Sequence, residues 1–175
     1  MNGKGVLASM GLLSLLMGIA MLQDKAIRGA ETPGPAAGQA APMARAKGAT
    51  DASGLMYFSQ QEIAPAFKAN LMLYDGVPDK NYRVAVYHRD KGGEVEIHKK
   101  DTDVFYILEG SATFVTGGVI AGAKETAPDE IRGPTMDGGV ERKLGKGDVI
   151  VIPAGVTHWY KEVQEPVTYF GVKVR

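Results

Sequence analysis

The chain contains no cysteine in its 175 residues. This excludes disulfides, thiolate metal sites, cysteine nucleophiles and a lipid-bearing cysteine behind a leader. Any metal here must be held by nitrogen and oxygen. The chain also lacks a surplus of either charge, because 20 basic side chains balance 20 acidic ones. A general nucleic-acid binder needs a local excess of Lys and Arg, so that class is set aside. No stretch after Lys68 carries a long 3.6-residue period, which excludes long amphipathic helices from most of the chain. There is no GxxxxGK[ST] phosphate loop and no Ser-His-Asp spacing. No tandem repeat of about 20 to 50 residues is present.

What is present looks globular. Hydrophobic residues make up 45% and charged residues 23% of the chain, close to the average for a folded domain. The amino terminus stands apart. Val6–Leu22 has no charge, Lys4 precedes it, and Gln23, Asp24 and Lys25 follow. That arrangement reads as a secretory signal peptide, or as an uncleaved helix that anchors the chain. Residues 1–30 are assigned to this segment, and the expected location is periplasmic or secreted by bacterial-type export. Any contact with a membrane is expected only through it. Gly29–Thr50 holds eight Ala, four Gly and three Pro. With so little large apolar surface to bury, residues 31–54 are expected to be a flexible linker. The folded domain is placed at 55–175. Ser59 with Glu62 three residues later predicts a capping box and a short helix from Gln60, which Pro65 limits.

From Leu71 onward, short apolar runs alternate with Gly, Pro and Asp clusters. Eight strands are predicted: Tyr82–His88, Glu94–Lys99, Val104–Leu108, Ala112–Thr116, Val140–Leu144, Val149–Ile152, His158–Glu162 and Val167–Val174. Many short strands imply an all-β sandwich or barrel. Alternation puts Glu94, Glu96, His98 and Lys100 on one face, and Val95, Ile97 and Lys99 on the other. If the charged face looks into a barrel, those groups need pairing or a metal.

Two stretches carry a resemblance. The first is Glu96-Ile97-His98, with Asp103 after four residues and Gly110 after six more. The second runs from Gly147 through Pro153 and Gly155 to His158, spaced Gly, five residues, Pro, one, Gly, two, His. Together they resemble the two motifs of the cupin superfamily, over roughly Arg83 to Val174. The resemblance implies a double-stranded β-helix, or jelly-roll barrel, holding a divalent metal. It places Glu96 and His98 at the family's two first-motif His positions, Asp103 at its Glu position and His158 at its last His position. Glu96 and Asp103 depart from the family's usual residue types, and Glu162 stands where Asn is frequent. A rival register, with His98 first and Lys100 second, leaves only two residues before Asp103 and offers an ammonium that cannot ligate a metal.

Two His with two carboxylates suit Fe, Mn, Ni or Zn and sum to no net charge around a divalent ion. The alternative reading makes Glu96 an exposed carboxylate, His98 and His158 hydrogen-bonded interior groups, and Asp103 a turn residue. Phe105 and Tyr160 are candidates for the apolar wall of a substrate pocket, and His88 for a base beside it. The Gly-rich segment between the motifs, residues 117–147, is expected to be a lid loop, with Lys124 and Arg132 available to an anionic substrate or simply solvated. The functional expectation is an exported, metal-binding protein that acts on a small molecule as an oxygenase-type oxidoreductase. The alternatives are a non-catalytic binding protein and a metal-dependent isomerase or lyase. Val95 and Ile97 face away from the pocket, either under another sheet or in a homodimer contact of the kind the resemblance implies.

Overall fold

The computed structural model describes residues 43–76 and 81–175. The expected signal peptide or anchor and the first part of the linker lie outside these residues. The strands are β1 (Ala49–Thr50), β2 (Met56–Tyr57), β3 (Met72–Tyr74), β4 (Tyr82–Arg89), β5 (Val95–His98), β6 (Thr102–Thr116) and β7 (Val119–Ala121). They continue as β8 (Lys124–Ala127), β9 (Glu130–Gly133), β10 (Thr135–Asp137), β11 (Val140–Gly145), β12 (Val149–Ile152) and β13 (His158–Val174). One helix, α1 (Gln60–Lys68), lies between β2 and β3. The Glu62 carboxylate accepts hydrogen bonds of 2.8 Å from both the amide and the hydroxyl of Ser59, closing the first turn.

Nine strands form one curled antiparallel sheet, the double-stranded β-helix or jelly-roll barrel. β6 and β13 are its spine, paired from Thr102↔Val174 to Thr116↔His158. The first half of β6 also pairs with β12, and its second half with β11. β13 joins β4 along Val167–Val174 and meets β5 where His158 faces Glu96. β5 then continues through β9 to β8. The inward side chains Phe105, Ile107, Phe114, Tyr160, Val167 and Tyr169 make the barrel core. Ala66 of α1 packs with Leu73 and Val86 in a second cluster.

Three expectations about the chain are corrected. The fold begins earlier than residue 55: Ala46 is buried, Arg45 bridges Met72, and β1 pairs with β2. Small residues permit this, because Ala46 needs little volume to tuck under the second cluster. The segment between the motifs is not a lid loop. It folds into β7 to β11, with turn glycines at positive φ such as Gly117, Gly122 and Gly138 between them. Finally, two predicted pairs of strands are each continuous. β6 passes through Gly110 at φ 83°, where a Cβ would lie 2.0 Å from the Pro166 carbonyl oxygen. β13 passes Pro166 where its register on β6 shifts between Glu165 and Thr168, so the missing N–H breaks no ladder bond there.

Candidate metal centre

Alternation along β5 sends Glu96 and His98 to the barrel interior, while Val95 on the other face is fully buried behind it. His158 opens β13 directly opposite Glu96. Asp103 lies near the start of β6, opposite Ile152 on β12 and Lys173 on β13. The closed sheet therefore brings all four side chains to one place. His98 Nε2 is 3.3 Å from Glu96 Oε2 and 3.4 Å from Asp103 Oδ2. His158 Nε2 is 3.6 Å from the same Asp103 oxygen and 3.9 Å from the same Glu96 oxygen. The ligating atoms of Glu96, His98 and His158 all lie within 4.8 Å of one another. Atoms bound at ~2.0–2.2 Å to a common tetrahedral centre would stand roughly 3.3–3.6 Å apart, so the spacing suits an ion.

The surroundings orient these groups. His158 Nδ1 lies 3.1 Å from the Val156 carbonyl, a contact that places the proton on Nδ1 and leaves the Nε2 lone pair facing the carboxylates. Each carboxylate gives one oxygen to a cation and turns the other toward the imidazoles. Glu96 Oε1 accepts from Arg132 at 2.9 Å. Asp103 Oδ1 accepts from Lys173 at 2.6 Å. Asp103 Oδ2 is buried and, among the described residues, has no hydrogen-bond partner. An orphaned carboxylate oxygen is costly in a protein interior, and here it points at two imidazoles, as a metal ligand would.

Protonation states fit the same role. Burial works to raise the Glu96 carboxyl, but His98, Arg132, His158 and Arg89 together outweigh it and hold the group well below its usual range. Burial pulls the His158 imidazole below its usual value despite the carboxylates beside it. At neutral pH Glu96 is ionised and His158 neutral, the forms that bind a cation.

A cavity of about 360 Å³ opens from this cluster. Its wall includes Phe105, and Tyr160 lines a smaller adjoining cavity of about 20 Å³. The expected His88 is corrected: its ring bonds Asp90 at 2.9 Å and lines neither cavity. Strand parity is the reason. Tyr87 and Arg89 of β4 face the cavity, so His88 between them faces away. Of the two cations singled out on the Gly-rich segment, Arg132 reaches the site and Lys124 stays exposed. Sequence reasoning missed Arg89, Lys173 and Tyr169. Arg89 lay one residue beyond the predicted strand end, although the same parity argument would have placed it. Lys173 depends on the β13 register, which no local signal reveals.

A family model described as Cupin matches residues 80–175. An acireductone dioxygenase of Leptospira biflexa is 33% identical over 123 residues, which cover 65% of this chain and 56% of that protein. The chain thus spans little more than half the length of that relative. Among solved structures, the Cnp3 cupin domain of Schizosaccharomyces pombe is 17% identical with a TM-score of 0.44, covering 60% of this chain and 62% of that one. The DMSP lyase DddQ of Ruegeria pomeroyi is likewise 17% identical with a TM-score of 0.43, covering 74% of this chain and 56% of that one.

Proposed function

The chain belongs to the cupin family, and from that premise we propose that it holds one divalent metal in its barrel and works as an oxygenase-type oxidoreductase on a small organic molecule. The observation that carries the metal reading is the convergence of two imidazole nitrogens and two carboxylate oxygens, one of them buried with no hydrogen-bond partner among the described residues. His98, His158, Glu96 and Asp103 are the ligand set, and Fe, Mn, Ni or Zn match its donor chemistry. Such an ion would supply Lewis acidity toward a substrate oxygen. The chain's own residues do the rest. Arg132 and Lys173 hold the carboxylates in place. Phe105, Tyr87 and Tyr169 give the cavity apolar walls that limit water. The 33% identical dioxygenase supports the choice of oxygenase chemistry. Export is part of the proposal and rests on the charge-free run Val6–Leu22.

An oxygen electrode tests the reaction. Protein reconstituted with Fe(II) should consume oxygen with at least one small enediol or hydroxy-ketone, and His98→Ala should not. Oxygen uptake equal in both proteins would reject the oxygenase reading.

One observation favours a second reading, a non-catalytic small-ligand barrel. Arg132 and Lys173 already neutralise Glu96 and Asp103, so the interior is charge-compensated before any ion enters. Stabilisation by a ligand without its turnover would support that reading.

A further inference from the structure

Four cations line the larger cavity: Arg83, Arg89, Arg132 and Lys173. Three are committed. Arg83 lies 2.7 Å from Asp101, Arg132 2.9 Å from Glu96 and Lys173 2.6 Å from Asp103. Arg89 is different. Among the described residues its nearest carboxylate is Glu96 at 3.9 Å, which is beyond a hydrogen bond. The guanidinium is nevertheless held rigidly. Its Nε donates to the Tyr169 hydroxyl at 3.0 Å, and its centre lies 4.8 Å from the Tyr160 ring. Gly93 leaves it room, since a Cβ there would sit 2.8 Å from Arg89 Nη1. A fixed fork of N–H donors facing a cavity beside aromatic rings is the arrangement that recognises a planar oxyanion.

A second group lies in the same place. The Tyr160 hydroxyl is buried beside the Tyr169 hydroxyl that receives Arg89. Tyr160 lines the small cavity together with Arg89, Glu96 and His158. That cavity, about 20 Å³, is large enough for one water-sized group.

We infer that the barrel takes a small carboxylate ligand, with Arg89 as its anchoring cation and Tyr160 as a second donor. The inference deepens the proposed function and rests on it for the position of the ligand beside the metal ligands. The anion itself is held by the chain's own donors. Arg89 thus sets specificity: a neutral analogue leaves the guanidinium fork with no carboxylate nearer than Glu96 at 3.9 Å.

The test is calorimetric titration of the full chain, metal-free and zinc-loaded, with acetate and benzoate, and with acetamide and benzamide as neutral controls. Zinc content is measured separately by elemental analysis. At least one carboxylate should bind and its amide should not. Arg89→Met should weaken that binding at least tenfold with unchanged zinc content, Arg89→Lys should restore only part of it, and Tyr160→Phe should weaken it severalfold. Should Arg89→Met fail to fold by circular dichroism, Arg89→Lys decides, because it keeps the charge and loses the fork. Failure of every carboxylate to bind in both forms, or binding indifferent to Arg89, would overturn the inference. Zinc content near zero with Arg89-dependent binding would uphold the anion site and reject the metal reading alone.

Discussion

The Lys173 ammonium lies 2.6 Å from Asp103 Oδ1, while Asp103 Oδ2 stays buried with no hydrogen-bond partner among the described residues. One carboxylate is thus half satisfied by a cation from the opposite strand and half available to a ligand. The same division holds at Glu96, where Arg132 takes Oε1 and Oε2 faces the imidazoles. The site is a set of donors aimed inward from a charge-balanced shell.

Lys173→Met removes one partner from a buried pair. In the metal-free protein this leaves the Asp103 charge unmatched and should cost about 3–5 kcal/mol. A divalent ion would supply part of the missing charge, so the loss should shrink with zinc present. Thermal unfolding with and without zinc measures both. An equal loss in the two conditions would separate Asp103 from metal binding.

Asp101 predicts a pH dependence of stability. Burial works to raise its carboxyl, but the hydrogen bond and charge of Arg175, with Arg83 and Lys173, outweigh burial and leave it below its ordinary value. A carboxyl depressed in the folded state adds stability that is complete above its unfolded value, about pH 4, and is lost as pH falls through the folded value. Asp101→Asn should therefore be less stable than the parent at pH 7, and the gap should close on acidification. Urea unfolding at a series of pH values reads this directly. A gap that persists or widens in acid would contradict it.

Gly110 combines positive φ with close backbone approach. A side chain in the left-handed region costs about 1–2 kcal/mol, and a Cβ at 2.0 Å from the Pro166 oxygen would force β6 and β13 apart. Gly110→Ala should therefore destabilise the barrel by more than the backbone cost alone, seen as a lower denaturant midpoint. A stability loss below about 1 kcal/mol would mean the strands yield easily there.

Much of the barrel was legible in the chain. β4, β5 and β12 followed from short apolar, β-branched and aromatic runs bounded by turn residues. The spacing from Gly147 to His158 announced a strand, a corner and a new strand, and the structure has all three, with Gly147 and Gly155 at φ 92° and 81°. Other features depended on distant partners. Gly110 and Pro166 look like breaks when read locally, yet they face one another where β6 and β13 bulge together. The Gly-rich segment looked mobile because its short strands gain their stability from pairing, such as β9 on β5, and not from their own composition. At the site, Glu96, His98, Asp103 and His158 were named through the resemblance of two stretches to the cupin motifs. Arg132 was considered but had no assigned partner, since nothing in the sequence puts it across from Glu96.

The most direct test of a metal-holding barrel is elemental analysis of the protein purified without a chelating tag and reconstituted with divalent ions. The account predicts about one ion per chain in the parent and none in the His98→Ala, His158→Ala double variant. A well-folded parent protein that retains no ion after reconstitution would contradict it.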